Sequence, residues 1–229
     1  MTKNHFLQVE KELWRKGYKV VIGLDEVGRG AGAGPVVACA VTILIPKIKN
    51  QKLKIKKIIQ NLQLLTEIKD SKKLSAKQRE EFYQLINQNS NIKWGMGKVS
   101  AKVIDEINIL EATKLAMKKA IKNLSPIFYD RRKWGMGEFL ILDGNFKIDL
   151  PNPQKSIVKA DERVFSCALA SIIAKVTRDR IMKRYHQQYP QYGFDKHKGY
   201  LTKYHCQMLK KYGCCPIHRQ SFQPIKNLL

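Results

Sequence analysis

Residues 19–45 read KVVIGLDEVGRGAGAGPVVACAVTILI and combine two apolar runs, a pair of carboxylates and a glycine-dense turn. The first run, Val20–Leu24, leads directly into Asp25 and Glu26. The turn closes at Pro35, and the run after it is rich in β-branched side chains. This order predicts a strand, a tight turn and a second strand, paired as a hairpin. Apolar runs of this kind are typical of strands buried on both faces, so we expect the acidic pair where a central strand ends.

Three interpretations of this stretch compete: a surface turn with incidental acids, a dinucleotide-binding loop and a metal-dependent nuclease site. Gly28, Gly30 and Ala33 fit the dinucleotide fingerprint G-x-G-x-x-A, but that motif requires a helix next, so that phosphate meets the helix N-terminus. Pro35 and the apolar run after it predict a strand instead, so we reject the dinucleotide loop. Adjacent carboxylates cost desolvation and mutual repulsion, and a hard divalent cation would relieve the repulsion. The rest of the chain favours the nuclease site.

The composition indicates one globular domain, with room for an appendage, and a polyanionic partner. The chain has 229 residues, of which 44% are hydrophobic, enough for a sizeable core. Forty-three Lys and Arg against nineteen Asp and Glu give a formal net charge of +24, which favours nucleic acid as the partner. A membrane surface is the alternative anion, but the sequence shows no basic amphipathic anchor or lipidation motif. Lysine-rich composition can also reflect genome bias, so the charge gains weight only beside an acidic catalytic site.

No segment reaches the roughly 20 apolar residues of a membrane span, and the N-terminus MTKNHFLQVEKELW lacks the apolar region of a signal peptide. We therefore expect a soluble, cytoplasmic protein. The five cysteines are an odd number in predicted core elements, which indicates reduced thiols rather than a disulfide frame. A zinc site is not expected, because vicinal cysteines replace the usual C-x-x-C spacing in the one group that could form it. That group is His205, Cys206, Cys214, Cys215 and His218.

Hydrophobic spacing and capping residues predict alternating helices and strands after the hairpin. Ser75, Ser100 and Asp161 are the expected N-caps of three successive helices. The lysine-rich residues 47–69 have isoleucines at helical spacing, which predicts an amphipathic helix in part and a mobile insertion in part. The expected helices are Phe6–Arg15, Ala76–Asn87, Ala101–Leu124, Glu162–Gln188 and Thr202–Tyr212. The expected further strands are Trp94–Val99, Phe139–Leu142 and Ile157–Lys159, and Tyr192–Thr202 is expected to be a loop.

The remaining acids divide into candidate ligands and structural groups. Asp143 directly follows an apolar run, so it is another carboxylate at the end of a predicted strand. A turn aspartate is the alternative for Asp143 and a helix N-cap the alternative for Asp161, although a cap can also be a ligand. Asp105 is expected to be a surface acid together with its neighbour Glu106. Asp179 is expected to be structural and paired with a basic neighbour.

Two stretches resemble the type 2 ribonuclease H family, ribonuclease HII. The first is DEVGRG at residues 25–30, followed by AGPVVA at residues 33–38, and its six-residue core is a specific signal. The second is KADERVFSCALASIIAKVTRD at residues 159–179, which is similar to the family's acidic residue followed by A-S-I-x-A-K-V-x-R-D. With weaker matches the resemblance covers roughly residues 18 to 222. The chain departs from the family pattern at Leu201, where glycine is usual, and near Cys214, which bears on loop geometry rather than on the acidic site.

The resemblance implies a ribonuclease H-like α/β fold, with a central mixed five-stranded sheet flanked by helices. Residues 1–189 would form the catalytic domain, and residues 190–229 a C-terminal helical extension packed on it. The implied activity is endonucleolytic hydrolysis of the RNA strand of RNA–DNA hybrids and cleavage at single ribonucleotides in duplex DNA, leaving 5′-phosphate and 3′-hydroxyl ends. We expect a monomer. The alternative from another class is a basic nucleic-acid-binding protein without chemistry, which would not need a complete set of acids.

The same resemblance implies a two-metal-ion site. Carboxylates and water suit Mg²⁺ or Mn²⁺, and two such ions about 4 Å apart can activate a water and stabilise the leaving oxygen of an in-line displacement. Asp25 is the expected ligand shared by both ions. The carboxylates implied as catalytic groups and metal ligands are Asp25, Glu26, Asp143 and Asp161.

Substrate recognition is implied for a second set of residues. The turn Gly28, Arg29 and Gly30 would read the 2′-hydroxyl, which distinguishes RNA from DNA, and glycines let the backbone approach the sugar closely. Tyr200 would stack on the deoxyribose beside the ribonucleotide, although an ordinary half-buried loop tyrosine is the alternative. Lys72 would contact phosphate, with a solvated surface lysine as its alternative.

Overall fold

The computed structural model describes residues 7–44, 62, 65, 74–124 and 137–228. Within them, five strands form one sheet and helices cover both of its faces. The strands are β1 (Val20–Val27), β2 (Val36–Ile43), β3 (Ile92–Val99), β4 (Glu138–Asp143) and β5 (Gln154–Ile157). The helices are α1 (Gln8–Arg15), α2 (Ala76–Gln88), α3 (Ala101–Leu124), α4 (Ala160–Arg163), α5 (Phe165–Gln188), α6 (Phe194–His197) and α7 (Lys203–Tyr212). Short 3-10 turns cover Pro190–Tyr192 and Ile225–Leu228.

Strand β1 lies at the centre of the sheet, whose strand order is β3-β2-β1-β4-β5. It pairs antiparallel with β2, and β2 pairs antiparallel with β3, so the predicted hairpin is confirmed. On the other side β4 lies parallel to β1, and β5 lies parallel to β4. The predicted mixed five-stranded sheet is therefore confirmed, and the carboxyl ends of three parallel strands meet at one edge of it.

Neighbouring residues of the central strands point into two separate cores. Val21 belongs to the core beneath α1, α2 and α5, whereas Ile22 belongs to the core beneath α3. Helix α5 is buried all round along its first half because it lies across β1 and β2. Gly23 permits this close approach, since a Cβ there would lie 2.5 Å from the backbone nitrogen of Cys167. Both faces of β1 are thus covered, as its continuous apolar run predicts.

A third, smaller core lies at the C-terminal end of the chain. Tyr192 and Phe194 stack at 5.4 Å between ring centroids, and they pack with Ala33 of the glycine turn and Met182 of α5. The C-terminal elements therefore rest on the turn between β1 and β2. We propose on this basis that residues 190–229 form the extension that the sequence predicts.

The structure corrects the prediction that Asp161 caps the long helix. Asp161 lies inside α4, a helix of one turn whose N-cap position is Lys159, a left-handed residue at φ 57°. Val164 is extended, at φ −122° and ψ 121°, and it separates α4 from α5. Because of this break, the direction of the turn that carries Asp161 is set independently of the axis of α5.

Three other predictions were wrong in detail. The strand expected at Ile157–Lys159 overlaps β5 only at Ile157, because β4 pairs with residues 154–157 instead. The expected loop at residues 192–202 contains the short helix α6. Helix α3 is interrupted at Asn108, whose φ is 66°, and the Asn108 side chain accepts hydrogen bonds from the next two free N–H groups, at 2.9 and 3.1 Å. With ψ at 167°, Asn108 lies outside the left-handed helical region, in a conformation that is largely restricted to glycine.

Several sequence predictions fall outside the described residues. The lysine-rich residues 47–69 do so except for Leu62 and Leu65, both of which are buried in the core beneath α5. Lys72 also lies outside the described residues. Across the part of the chain that the structure describes, no helix combines the length and apolar character needed to cross a membrane.

The close packing of α3 on β3 predicts the effect of one substitution. A Cβ at Gly97 would lie 2.0 Å from the carbonyl oxygen of Ala116, so Gly97→Ala must displace the helix. We expect the free energy of unfolding to fall by about 1–3 kcal/mol, the usual effect of overpacking a core, measured by chemical denaturation. Lys98→Ala, at the exposed neighbour, is the control and should change stability by no more than about 0.5 kcal/mol. Equal stability of the two variants would contradict this packing.

Candidate active site

Two carboxylates occupy equivalent positions at the ends of the central parallel strands. Leu24 of β1 lies opposite Leu142 of β4, and the next residues along the two strands are Asp25 and Asp143. Parallel strands in register deliver these side chains to the same edge of the sheet, the edge at which α/β proteins bind ligands. Asp25 is buried and Asp143 half-buried. The sequence predicted both as carboxylates at strand ends, and the strand bounds confirm that placement.

Asp161 joins these two residues through the connection that follows β5. Asp143 Oδ1 accepts a hydrogen bond of 2.9 Å from the backbone N–H of Ala160, which fixes the start of α4 against the end of β4. Asp161 is the next residue and is buried. Ligand oxygens of Asp25, Asp143 and Asp161 all lie within 4.8 Å of one another. Among the described residues this is the one group of three or more metal-ligating side chains so arranged.

Glu26 lies at the same edge but does not belong to this group of three. Successive side chains of a strand point to opposite faces, so Glu26 leaves β1 on the face opposite to Asp25. Its Oε1 accepts a hydrogen bond of 3.2 Å from Arg29 Nη1, and the two side chains form an ion pair. Its Oε2 is buried and has no hydrogen-bond partner among the described residues. Glu26 therefore borders the site from the other face of the sheet, with one oxygen left for a ligand.

Burial and mutual repulsion make it unfavourable for the acids of the site to be charged. Burial raises the pKa of Asp25 well above its usual range, and the charges of Glu26 and Asp143 raise it further. A hydrogen bond from Ser171 opposes that shift. Burial raises the pKa of Glu26 to about 7, against the nearby positive charge of Arg29, which lowers it. The site thus favours either protons or a cation over bare carboxylates.

Sequence reasoning missed three residues of the cleft above the acids. The cleft has a volume of about 530 Å³ and is lined by Arg79 of α2, Ser171 and Lys175 of α5, and Tyr200, besides Asp25, Glu26 and Asp143. Lys175 Nζ donates a 2.8 Å hydrogen bond to Asp179 Oδ1, so the predicted pairing of Asp179 with a basic neighbour is confirmed. The spacing of Ser171 and Lys175, four residues apart on one helix face, was the signal that could have revealed them.

Two buried arginines hold the glycine turn that leads away from the acids. Arg178 of α5 donates hydrogen bonds to the carbonyls of Ala33 and Pro35, at 3.0 and 2.9 Å. Arg219 donates to the carbonyls of Gly28, Arg29 and Gly34, at 2.7 to 3.0 Å. Both guanidinium groups lie within the fold, fully covered from solvent. These arginines fix the path of the predicted 2′-hydroxyl-reading turn, and sequence reasoning assigned them no role.

The turn itself needs glycine for reasons that the structure shows. Gly28 has φ 93°, in the left-handed region, and a Cβ on it would lie 2.1 Å from Arg178 Nε. Gly30 is exposed, and a Cβ on it would approach Cε1 of Tyr200 at 3.9 Å. The turn and the Tyr200 ring therefore stand side by side at the mouth of the cleft, as their predicted joint role requires.

Leu201, the departure from the family pattern, packs on the turn. A Cβ at Gly32 would lie 2.7 Å from Leu201 Cγ, so the leucine side chain occupies the space that Gly32 leaves open. Leu201 is also half-buried against the C-terminal core. Its side chain is thereby directed away from the cleft.

Asp105 lies at the surface and outside the group of metal-ligating acids, as expected, and it also has a structural role. Its two carboxylate oxygens accept hydrogen bonds from the backbone N–H groups of Gln220 and Ser221, at 2.9 and 3.0 Å. The Ser221 hydroxyl donates to it as well, at 2.5 Å. Asp105 thus anchors the segment directly after Arg219 and is not part of the acidic site.

Comparison with known proteins identifies the family. A sequence model described as ribonuclease HII matches residues 22–225. The chain belongs to the ribonuclease HII family. It is 44% identical to the ribonuclease HII of Leuconostoc mesenteroides over 230 residues, which covers 99% of this chain and 80% of the relative. It is 45% identical to that of Enterococcus faecalis over 222 residues, or 97% and 76% of the two chains.

The fold of solved structures agrees with this family. The crystal structure of ribonuclease H2 from Pyrococcus horikoshii aligns with a TM-score of 0.66 at 26% identity, over 91% of this chain and 96% of that one. The ribonuclease H-like fold is therefore confirmed. Family and fold together make this ribonuclease HII homologue a ribonuclease H, a metal-dependent endonuclease of a family that acts on RNA–DNA hybrids.

The residues of the acidic site fit a hard divalent cation. The donor set consists of carboxylate oxygens, which Mg²⁺ and Mn²⁺ prefer, and Glu26 Oε2 is buried without a hydrogen-bond partner among the described residues. A cation at this edge would offset the repulsion that raises the pKa of Asp25. The observed donors thus suit the metal dependence of the family.

The raised pKa of Glu26 predicts how pH affects the metal-free protein. Since its pKa rises from 4.5 to about 7 on folding, the folded state holds this proton more tightly, and the stability so gained is lost as pH increases between those values. We therefore expect Glu26→Gln to have a higher Tm than wild type, with a small difference below about pH 4.5 and the largest difference above about pH 7. Thermal melts in chelator across this range measure it, with the exposed Glu12→Gln as the control. A Glu26→Gln advantage that shrinks with increasing pH would contradict the assignment.

Proposed function

We propose that this ribonuclease HII homologue hydrolyses the RNA strand of RNA–DNA hybrids and cuts at single ribonucleotides embedded in duplex DNA, leaving 5′-phosphate and 3′-hydroxyl ends. The observation that carries the proposal is the meeting of Asp25, Asp143 and Asp161 within 4.8 Å, at the foot of a cleft that Tyr200 borders. One part of the cleft suits phosphodiester chemistry and the other suits sugar recognition. The formal net charge of +24 supports a nucleic acid partner.

The proposed catalytic residues are the four acids, with two divalent ions in the active complex. Asp25, Asp143 and Asp161 would hold metal from the face of α5, and Glu26 would reach it from the opposite face. Asp25 remains the proposed shared ligand, because it is the most enclosed of the strand-end acids and Ser171 orients it. Mg²⁺ or Mn²⁺ bound there would supply the Lewis acidity that activates water and stabilises the leaving oxygen.

Cationic side chains around the acids would position the phosphodiester. Lys175 and Arg79 line the cleft above Asp25, and Arg29 stands on the far side of Glu26. Arg29 is 41% exposed, so it can turn from Glu26 to a phosphate oxygen without unfolding the turn. Binding the phosphate from both sides would hold the scissile bond over the acids, since correct orientation supplies a large part of catalysis. Lys72 stays a proposed phosphate contact.

Substitution of the strand-end acids tests the proposed catalytic site. Asp25→Asn and Asp143→Asn should each reduce cleavage of a single-ribonucleotide duplex at least about a hundredfold, because even outer residues of metal sites cost tenfold to a hundredfold. Substrate affinity should stay within a few-fold, since surface cations carry it. Millimolar Mg²⁺ should raise the Tm of wild type but not of Asp25→Asn.

The control is Asp149→Asn, at an aspartate whose side chain is 99% exposed. It should cleave like wild type. A folded Asp25→Asn with full activity, or a wild-type Tm that millimolar Mg²⁺ leaves unchanged, would refute the site.

We propose that the glycine turn and Tyr200 together recognise the junction between a ribonucleotide and the deoxyribose after it. The backbone of Gly28, Arg29 and Gly30 would bond to the 2′-hydroxyl, which is both donor and acceptor. The Tyr200 ring is 40% exposed and stands beside Gly30, where it would pack on a sugar that has no 2′-hydroxyl. A second ribonucleotide at that place would be disfavoured.

Tyr200→Ala tests junction recognition on two substrates. We expect kcat/KM to fall about tenfold on the single-ribonucleotide duplex, the size of one lost stacking contact, and clearly less on a continuous RNA–DNA hybrid. Tyr204→Ala removes another exposed tyrosine nearby and should affect both substrates little. Equal losses of Tyr200→Ala on the two substrates would mean that Tyr200 supports general binding, with junction recognition elsewhere.

The expected monomer is also kept as a proposal, which light scattering at micromolar concentration tests.

A further inference from the structure

Three histidines lie directly behind the Tyr200 loop. The rings of His197 and His205 stack at 4.4 Å between centroids, and His205 and His218 face each other with 3.0 Å between their Nε2 atoms. His205 and His218 are buried, on α7 and in the C-terminal segment respectively. Neither the acidic site nor the sugar-reading turn includes them.

The hydrogen bonds around these rings assign a proton to each. The backbone N–H of Cys215 donates to His218 Nδ1 at 2.8 Å, so this nitrogen accepts and the proton of the neutral ring lies on Nε2. His218 Nε2 then donates to His205 Nε2 at 3.0 Å. His205 in turn carries its proton on Nδ1 and donates to the carbonyl oxygen of Tyr200 at 3.0 Å. The result is one directed chain of hydrogen bonds that ends on Tyr200.

His205 and His218, the two histidines in this series of hydrogen bonds, are neutral near pH 7. Burial lowers the pKa of His205 and of His218 to about 4. A second proton on His205, at Nε2, would face the N–H of His218 at a nitrogen separation of 3.0 Å. A second proton on His218, at Nδ1, would face the backbone N–H of Cys215 at 2.8 Å. The two histidines therefore keep one arrangement of hydrogen bonds and do not change protonation near neutral pH.

The same segment also holds the glycine turn. Arg219, the residue after His218, donates to the carbonyls of Gly28 and Arg29. His218 itself forms a backbone bridge with Ala33. Two consecutive residues therefore serve both elements. Arg219 contacts the proposed sugar-reading turn directly, and His218 contacts Tyr200 by way of His205.

We propose that His218 and His205 are positioning residues, which fix Tyr200 relative to the turn Gly28–Gly30 and so set the preference for a ribonucleotide–deoxyribonucleotide junction. The inference rests on the proposed function of Tyr200. Tyr200 is 40% exposed, and the guanidinium of Arg178 lies 5.9 Å from its ring centroid. Its backbone is held at both ends: the carbonyl accepts hydrogen bonds from His205 Nδ1 and from the N–H of Thr202, and the N–H donates to the carbonyl of His197.

The first test compares two substitutions of His205. His205→Leu keeps the bulk and removes both the donor to Tyr200 and the acceptor for His218. We expect kcat/KM on the single-ribonucleotide duplex to fall about three- to tenfold, the effect of releasing the Tyr200 carbonyl from one neutral hydrogen bond. Cleavage of a continuous hybrid should change less than about twofold. His205→Asn places an amide N–H where Nδ1 was, so it should recover most of the loss. Tyr204→Phe is the control, since it removes a hydrogen bond from the same helix to Gln191 without touching Tyr200.

The second test asks whether His205 acts through Tyr200. In a Tyr200→Ala background, His205→Leu should cause no further loss on the single-ribonucleotide duplex, because residues acting as one unit are not additive. Side-chain ¹⁵N NMR of the wild-type protein should show the Nε2–H tautomer at His218 and the Nδ1–H tautomer at His205, independently of activity.

The outcomes separate the inference from the proposed function. Three outcomes would overturn the inference alone. The NMR spectra could show other tautomers, or the losses of the double variant could be additive. The third outcome is that His205→Leu reduces cleavage of both substrates equally, while Tyr200→Ala reduces cleavage of the single-ribonucleotide duplex more. Equal losses of Tyr200→Ala on both substrates would overturn the proposed role of Tyr200, and the inference with it.

Discussion

The site depends on the hydrogen bonds that Arg178 and Arg219 make to the carbonyls of the glycine turn. Apart from Gly30 and the partly exposed Arg29, the residues of the turn between β1 and β2 are buried, so their carbonyls need partners within the fold. An unsatisfied buried carbonyl costs about 1–3 kcal/mol, and the two guanidinium groups satisfy the carbonyls of five turn residues. The planar fork of arginine suits this task, because it donates in several fixed directions. Burial lowers the pKa of Arg219 to about 9, so it keeps its charge at neutral pH.

This arrangement explains how the proposed catalytic and recognition groups share one edge of the sheet. Arg178 belongs to α5, the helix that also carries Ser171 and Lys175 into the cleft. The helix approaches β1 closely because residue 23 is glycine. Through Arg178 the position of α5 is tied to the glycine turn, so the acids and the turn cannot shift independently. The register between the parallel strands β1 and β4 then places Asp143 beside Asp25.

The sequence predicted the elements whose causes are local and missed those whose partners are distant. The apolar runs of β1, β2 and β4, the N-caps at Ser75 and Ser100, and the strand-end acids all follow from neighbouring residues. Arg178 lies 143 residues from its partner Pro35, and Arg219 lies 191 from Gly28. No periodicity or local motif can reveal such pairs. The family resemblance supplied Asp161, Tyr200 and the turn as candidate site residues, roles that the spacing of residues alone left open.

The break at Val164 escaped prediction for a related reason. Asp161 is a good N-cap residue before a long helical pattern, so local reasoning joined the two. In the structure Asp143 accepts a hydrogen bond from the backbone N–H of Ala160, which holds the start of α4 at the sheet edge, and the extended Val164 separates α4 from α5. The segment that carries Asp161 to the other acids is thus held by a tertiary hydrogen bond, which local residue preferences do not indicate.

Surface charge and close contacts to the sugar contribute differently to substrate recognition. The large excess of Lys and Arg attracts any polyanion, but a phosphate is the same beside ribose and deoxyribose, so surface charge cannot locate a ribonucleotide. Discrimination must come from groups that contact the sugar closely. The groups that we propose for this role are uncharged: the backbone of the glycine turn and the Tyr200 ring, with His205 and His218 as its proposed positioning residues. Contacts between neutral groups weaken little when salt screens the surface charges. In a site of this composition, surface charge therefore sets the affinity for nucleic acid, and the neutral groups set the position of cleavage.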